Sequence, residues 1–567
     1  MKNRRNISYL ALIGITIFLY GCSSKSQRTT PPKPPRLIVF IALDQFRYDY
    51  LTRFSTHFGA NGFNYLLNGG ASFANCLYEQ ATTHTSVGHA TMMSGTLPYR
   101  HGIIANYWWS RELHRYIYAP EDTLAPILGI EKQKATDGRS PRNFSGINFA
   151  DALREKTNGR AKVFSVSNKD RSAVLMGGKN PNGAYWMVKN RGGFYTSAYY
   201  MNDYPVWVKE YNAQKPADKY FGMSWEMLLD KEKYPTMKPE ILRLLDLPSS
   251  GFGHSFPHPL KGLTSDRPDT MYYKELIHTP FASEMVLDFA KAIVQNEALG
   301  SDEITDILCI SLSANDEIGH SFGPSSPEVM DITVQTDRLL ARFFKYINTA
   351  VKEEDVLYVL TSDHGVPFFP EEMADRGVTA ARVHPRKLAA VADSIMALKY
   401  GKLPLGKQYV DRIAYPDLYF DGRVLAEKKI DKEEASDYIS AVFEQSLPII
   451  YRAYSGTRLK RGLVPSDPIS EAVRKSFHSR LSGDVVIVLK PFHVWDSNGL
   501  GTEHSLPYAY DAQVPLIFKG KRWIKSGLYK DEVAPTDIVP VLSVITGCED
   551  PGGRDGQVPD QLLKFSK

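Results

Sequence analysis

The chain has 567 residues, of which 43% are hydrophobic and 23% charged, a balance that allows a large buried core and excludes a disordered or fibrous chain. Its formal net charge is +5, but Lys2, Arg4 and Arg5 fall in the first 21 residues, so the remainder carries only +2. With no strongly basic body, nucleic acid is excluded as the main partner.

Those three basic residues precede an apolar run over residues 7–20 that ends at Gly21-Cys22-Ser23-Ser24, the pattern of a bacterial secretory signal. Leu19-Tyr20-Gly21-Cys22 resembles a lipobox, at which a lipoprotein signal peptide of residues 1–21 is cut and Cys22 acylated, although Tyr20 is bulkier than that motif usually accepts. Ordinary cleavage and an uncut anchor are the alternatives. All three export the body; the lipobox reading makes it a periplasmic or outer-membrane-associated lipoprotein held to the membrane through Cys22. Residues 22–36 are proline-rich, almost free of apolar side chains, and read as an extended tether. Cys76, Cys309 and Cys548 remain, an odd number from which no disulfide framework follows. Without a Cys-x-x-Cys pair, any metal must be held by oxygen and nitrogen.

Residues 37–43 are a continuous apolar run, expected of a strand covered on both faces of a parallel sheet. Similar runs cover 161–166, 304–312, 356–360, 485–489 and 514–518, and helical periodicity covers 281–294 and 329–349. The alternation predicts an α/β fold over 37–567, a doubly wound and mostly parallel sheet flanked by helices. Segments around 185–267 and 384–445, rich in Tyr, Lys and Pro, are expected to form an inserted cap or side lobes.

Ligands of such sheets bind beyond the carboxyl ends of the strands. Asp44 follows the first run, Asp316 and His320 follow the run at 304–312, and Asp363-His364 follow the run at 356–360. An Asp after a strand is commonly an N-cap or turn residue, but three segments delivering ligand-type side chains to one edge point to a metal site. The i,i+4 spacing of Asp316 and His320 puts them on one face if the segment is helical, and Gly365 permits a bend that lets Asp363 and His364 converge. His504, on an apparent loop, has little support of its own. His57, His114, His254, His258, His278 and His384 lack the strand-end context and read as surface or packing residues.

Thr85 opens a short helical pattern that ends at Gly95. A hydroxyl there serves as an N-cap or faces an anion held by free N–H groups; Thr82, Thr83 and Ser86 compete for the role. If Lys169-Asp170-Arg171 is extended, Lys169 and Arg171 point to one side and Asp170 to the other, although such a run is ordinarily a solvated surface. Asn106 reads as a turn residue or as an amide donor.

Leu43-Asp44-Gln45, Thr85…Gly88-His89, His101-Gly102-Ile103-Ile104-Ala105-Asn106, Lys169-Asp170-Arg171, Asp316…Gly319-His320-Ser321-Phe322-Gly323-Pro324, Ser362-Asp363-His364-Gly365 and Gly501-Thr502-Glu503-His504 occur in this order. Together they resemble the alkaline phosphatase superfamily, in particular its PafA-type bacterial enzymes with a threonine nucleophile. The resemblance implies two Zn²⁺ ions, one held by Asp316, His320 and His504 and the other by Asp44, Asp363, His364 and the Thr85 oxygen. It further implies phosphate monoester hydrolysis through a phosphothreonine, with Asn106, Lys169 and Arg171 binding the phosphoryl group. A phosphodiesterase or nucleotide pyrophosphatase of the same superfamily is the alternative, and a non-catalytic metal- or phosphate-binding lipoprotein a distant one. A sulfatase is disfavoured because the Thr85 region lacks a Cys/Ser-x-Pro-x-Arg sequence.

Overall fold

A computed structural model of the chain describes residues 32–263, 266–549 and 553–565. The signal-like segment, Cys22 and the tether up to residue 31 lie outside the described residues. The body-side end of the tether is pinned: Trp523 Nε1 donates to Lys33 O at 3.0 Å, and Arg36 pairs with Glu303 and Asp355.

The core is a nine-stranded mixed sheet. Its centre is parallel, in the spatial order Val356–Thr361, Leu37–Leu43, Asp306–Leu312, Val163–Ser167, Gly183–Met187. Leu516–Lys519 runs antiparallel between Val356–Thr361 and Ala71–Cys76, Gly527–Val533 lies beyond, and Phe194–Tyr195 closes the opposite edge. The apolar run at the start of the body is a strand because both faces are covered. Leu37, Val39, Ile41 and Leu43 enter a core with Phe289, Ile293 and Phe343, while Ile38, Phe40 and Ala42 enter another with Met92, Leu153 and Leu542. That alternation is the two-residue period of a strand acting on two apolar layers. Helices Pro280–Asn296 and Pro327–Ala350 lie where periodicity predicts them.

One strand belongs elsewhere. Val485–Leu489 pairs antiparallel with Asp417–Phe420 and Ile450–Ser455 in a separate four-stranded sheet that also contains Val410–Ala414. Helices Pro385–Tyr400 and Lys432–Ser446 pack on this sheet, around Leu418, Ile439, Phe443 and Ile487. A continuous apolar run signals burial on both faces but does not say which sheet supplies it. Residues 185–267 behave differently, since Tyr185, Trp225, Tyr234 and Leu260 join the core of the main sheet.

Asp417 is buried in this side lobe and accepts the Gly483 amide at 2.8 Å. Burial raises its pKa to about 7, against the Gly483 hydrogen bond and Arg111, with Asp484 adding repulsion. A folded-state pKa above the unfolded value means that stability is lost as pH rises through 7 and retained at acid pH. Asp417→Asn keeps an acceptor for Gly483 without the charge. Its melting temperature should exceed that of the parent at pH 9, and the gap should close only as the pH falls below the unfolded carboxylate range, to about 3; a gap independent of pH would show that folding does not shift the Asp417 carboxyl.

Candidate active site

Three adjacent parallel strands end at the same edge and deliver the cluster. Asp44 follows Leu37–Leu43 directly, Asp316 and His320 lie on helix Ala314–Phe322 after Asp306–Leu312, and Asp363-His364 follow Val356–Thr361. His504 arrives from a loop that precedes Leu516–Lys519. All six are buried except His320, which is partly exposed. Asp44, Asp363 and His364 bring ligand atoms within 4.8 Å of one another, as do Asp316, His364 and His504, and His320, Glu503 and His504. The first set is the one the sequence suggests for one ion. The second ion's expected ligands, Asp316, His320 and His504, are also gathered: Asp316 Oδ1 lies 3.3 Å from His320 Nε2 and 3.9 Å from His504 Nε2. They interleave with His364, whose Nε2 is 3.6 Å from Asp44 Oδ1 and 3.9 Å from Asp316 Oδ1 and whose ring stacks on His504 with centroids 3.7 Å apart.

The tautomers follow from the partners. Nδ1 of His320, His364 and His504 faces the carbonyl oxygens of Thr502, Gly365 and Thr83 at 2.7, 3.0 and 2.5 Å respectively. A carbonyl only accepts, so each Nδ1 carries a proton and each Nε2 is the nitrogen turned to the cluster. Asp44 Oδ1 is buried without a hydrogen-bond partner, while Asp44 Oδ2 faces Lys169 Nζ at 2.9 Å and Asp363 Oδ2 faces His89 Nδ1 at 3.3 Å. Such carboxylate oxygens, grouped with imidazole nitrogens, fit a divalent metal centre. The electrostatics agree. Burial would raise the Asp316 carboxyl, but Lys169 and then His320 outweigh it and hold it well below the usual carboxylate range. His320 is pushed up to about 10 because Asp316 and Glu503 overcome the opposing effect of burial. Burial, with added repulsion from Asp44, raises Asp363.

Thr85 is the first residue of helix Thr85–Ser94, with no side-chain cap at its N-terminus. Its Oγ1 is 3.3 Å from His364 Nε2 and accepts from Arg171 Nη2 at 3.4 Å. The rival hydroxyls go elsewhere: Thr83 donates to Leu506 O, and Ser86 Oγ is buried without a partner. The helix can approach because Gly88 has no side chain; a Cβ there would stand 2.3 Å from Asp363 O. Asn106 Oδ1 accepts the Ser86 amide at 2.9 Å, fixing which end of its side-chain amide is left to donate.

Lys169 and Arg171 are not on an extended segment. Lys169 is the N-cap of helix Asp170–Gly177, and Arg171 lies in its first turn. Asp170 turns to the Tyr118 hydroxyl and Arg139, and Arg171 Nη1 reaches the same hydroxyl at 3.4 Å, so the expected divergence is incomplete. Lys169 Nζ contacts the carboxylates of Asp44 (2.9 Å) and Asp316, while Arg171 reaches Thr85. Gly365 also serves differently from expectation: a Cβ there would stand 2.2 Å from Tyr510 O, so close packing requires the glycine. Among the histidines set aside, His258 packs inside against Glu328, while His114 and His254 are exposed.

Four contributors escape a reading by strand ends. Gln45, at φ +60°, donates through its backbone N–H to Asp363 Oδ1 and through Nε2 to Asp316 Oδ1, both at 3.0 Å. His89 lies 3.3 Å from Asp363 Oδ2. Glu503 faces His320, and His84 bonds to the loop that carries His504. Each stands within four residues of a residue singled out from the sequence, and Gln45, His89 and Glu503 also fall inside the segments that carry the family resemblance. The cluster opens into a cavity of about 650 Å³, whose wall includes Asn106, Tyr107, Lys189, Arg386 and Tyr415.

The type I phosphodiesterase / nucleotide pyrophosphatase family matches residues 38–492. Alkaline phosphatase PafA of Elizabethkingia meningoseptica is 31% identical over 543 residues, covering 95% of this chain and 96% of its own. Alkaline phosphatase PhoV of Synechococcus elongatus is 31% identical over 571 residues, covering 98% and 100% respectively. The crystal structure of wild-type PafA matches with a TM-score of 0.85 and 29% identity, over 94% of this chain and 100% of that one. The chain therefore belongs to the type I phosphodiesterase / nucleotide pyrophosphatase family of the alkaline phosphatase superfamily, and is a phosphoric monoester hydrolase of the PafA type.

Proposed function

We propose that this enzyme is an exported, zinc-dependent alkaline phosphatase that prefers phosphate monoesters and works through a phosphothreonine at Thr85. The observation that carries the reading is the position of Thr85 Oγ1, between His364 Nε2 at 3.3 Å and Arg171 Nη2 at 3.4 Å. Asp44, Asp363 and His364 would hold one zinc ion, and Asp316, His320 and His504 the other. Bound zinc would supply Lewis-acid stabilisation of the entering and leaving oxygens of an in-line displacement.

The chain's own residues orient and stabilise. Thr85 Oγ1 attacks phosphorus as the ester P–O bond breaks, and the alcohol departs on the side of Asp316, His320 and His504. Water then attacks the phosphothreonine from the vacated side, breaking its P–O bond to release phosphate and restore the Thr85 hydroxyl. The Arg171 guanidinium and the Asn106 amide supply donors to the non-bridging oxygens, where charge accumulates. Lys169, buried against Asp44 and Asp316, adds a fixed positive charge behind them. A dianionic monoester gains more from this concentration of positive charge than a diester does. The second reading, a phosphodiesterase or nucleotide pyrophosphatase, is favoured by the family description and by the roomy cavity.

The basic and apolar residues before Cys22 support export and a lipid anchor. Residues 37–567 would then form the catalytic domain, with 384–445 as an inserted side lobe and the 185–267 segment packed into the main core.

Thr85→Ala should lower phosphate release at least about a thousandfold while the metal content of the purified protein stays that of the parent; Thr85→Ser should keep a phosphorylated intermediate. Release undiminished in Thr85→Ala would exclude the phosphothreonine route. On paired aryl substrates the parent should have the higher kcat/KM for the monoester. Arg171→Ala should cost about 10²–10³-fold on the monoester and less on the diester; a parent that favours the diester by orders of magnitude overturns monoesterase specificity. Metabolic labelling with palmitate should mark the parent and not Cys22→Ala, and an unlabelled parent refutes the lipid anchor.

A further inference from the structure

Ser505, the residue after His504, has φ +121°, in a region that a side-chain-bearing residue rarely adopts. Two contacts fix it there. Its amide donates to Asp511 Oδ2 at 3.0 Å, an oxygen that also accepts from Leu506 N at 2.9 Å, and its hydroxyl lies 2.5 Å from His84 Nε2. The other nitrogen of that imidazole, Nδ1, accepts the backbone N–H of Asn106 at 3.2 Å. Two donors cannot face each other, so Nδ1 is unprotonated and Nε2 carries the hydrogen that goes to Ser505 Oγ. His84, Ser505 and Asp511 are all buried.

This chain of bonds joins three parts of the site. His84 is covalently next to Thr85, Asn106 is the amide donor, and Ser505 is covalently next to His504. Asp511 extends the chain, because its carbonyl accepts the Gly365 amide at 2.7 Å beside His364. Backbone strain of this kind persists only where the surroundings enforce it, and it gathers at functional sites. The strain here falls on the residue that follows His504, whose ring is held through Nδ1 by the Thr83 carbonyl at 2.5 Å.

We propose that His84 and Ser505 are positioning residues. The hydrogen bond from His84 Nε2 to Ser505 Oγ holds the loop in the strained form that aims His504 Nε2 at the cluster, while His84 Nδ1 sets the Asn106 backbone relative to Thr85. One imidazole thus couples the metal ligand to the phosphoryl-binding amide. The inference rests on the reading of His504 as a zinc ligand.

Three substitutions separate the two functions of His84 and Ser505. Ser505→Gly accepts φ +121° without strain and deletes the hydroxyl. His84→Asn offers an oxygen near the position of Nδ1 and nothing near Nε2, whereas His84→Gln reaches the Nε2 position with a donor and leaves Nδ1 unreplaced. Zinc affinity is read by competition of the purified protein with a chromogenic chelator, alongside melting temperature, kcat and KM. Ser505→Gly and His84→Asn should each weaken zinc binding about 10–100-fold, and the double variant should weaken it no further than either alone. The melting temperature of Ser505→Gly in the metal-free protein should be unchanged or higher. His84→Gln should retain zinc affinity and lose kcat at nearly constant KM. His504→Ala is the control: parental zinc affinity there removes the ligand reading itself. Loss in His504→Ala with parental affinity in both Ser505→Gly and His84→Asn overturns the positioning role alone. If Ser505→Gly fails to fold, His84→Asn against His84→Gln decides, and equal affinities in that pair refute the proposal.

Discussion

The structure depends on burying three aspartates at one end of a parallel sheet. Asp44, Asp316 and Asp363 are each at most 2% exposed. At an effective dielectric near 20, two unit charges 4 Å apart interact by about 4 kcal/mol, so such a group cannot stand without compensation. The chain supplies it in layers. Lys169 bridges Asp44 and Asp316, Gln45 donates to Asp316 and Asp363, His89 faces Asp363, and the imidazoles of His320, His364 and His504 close the remaining side. Asp44 Oδ1, which has no hydrogen bond and faces His364 Nε2 at 3.6 Å, is left for a divalent cation.

The same requirement explains the architecture around the edge. Strands buried on both faces hold their ends rigidly, so the residues that follow closely, Asp44 at once and Asp363 and Asp316 within a few positions, are placed by the sheet. The flanking helices add a second device. Helix Thr85–Ser94 points its N-terminus at the cluster, with its Ser86 amide taken by Asn106, and helix Asp170–Gly177 starts there with Lys169 as its N-cap. Two helix starts bring partial positive charge to the place where the aspartates bring negative charge and where a phosphoryl group would add more.

Much of this is legible in the chain because it is local. The run at 37–43 coincides with its strand, and those at 304–312 and 356–360 fall within one or two residues of theirs. Asp316 and His320 meet as a helical i,i+4 pair despite Gly319. The misreadings share a physical cause, namely partners distant in sequence. Val485–Leu489 is as apolar as a central strand but is buried by a lobe built from residues some 30 to 70 positions earlier. Lys169-Asp170-Arg171 stands at a helix start instead of along a strand, and alternation over three residues cannot tell the two apart. His84 and Ser505 meet across 421 positions, beyond any periodic signal. His504, weakest in the sequence, is fixed in space by the carbonyl of Thr83.

This division of labour also separates chemistry from selectivity. Asp44, Asp316, His320, Asp363, His364, Thr85, Lys169 and Arg171 come from the central sheet edge and the helices that flank it, and His504 from the loop before Leu516–Lys519. The outer wall of the cavity comes from other segments: Tyr107 and Tyr116 from the hairpin of Tyr107–Ser110 with Arg115–Tyr118, and Ile413, Ala414 and Tyr415 from the side-lobe sheet and its turn. Trp109 ties the hairpin to the lobe, donating to Asp411 at 2.8 Å and lying under the Arg412 guanidinium. The wall is therefore a unit of its own, joined by contacts that do not pass through the carboxylate cluster. Substitutions along it leave the pairing of the buried aspartates with Lys169 and Gln45 in place.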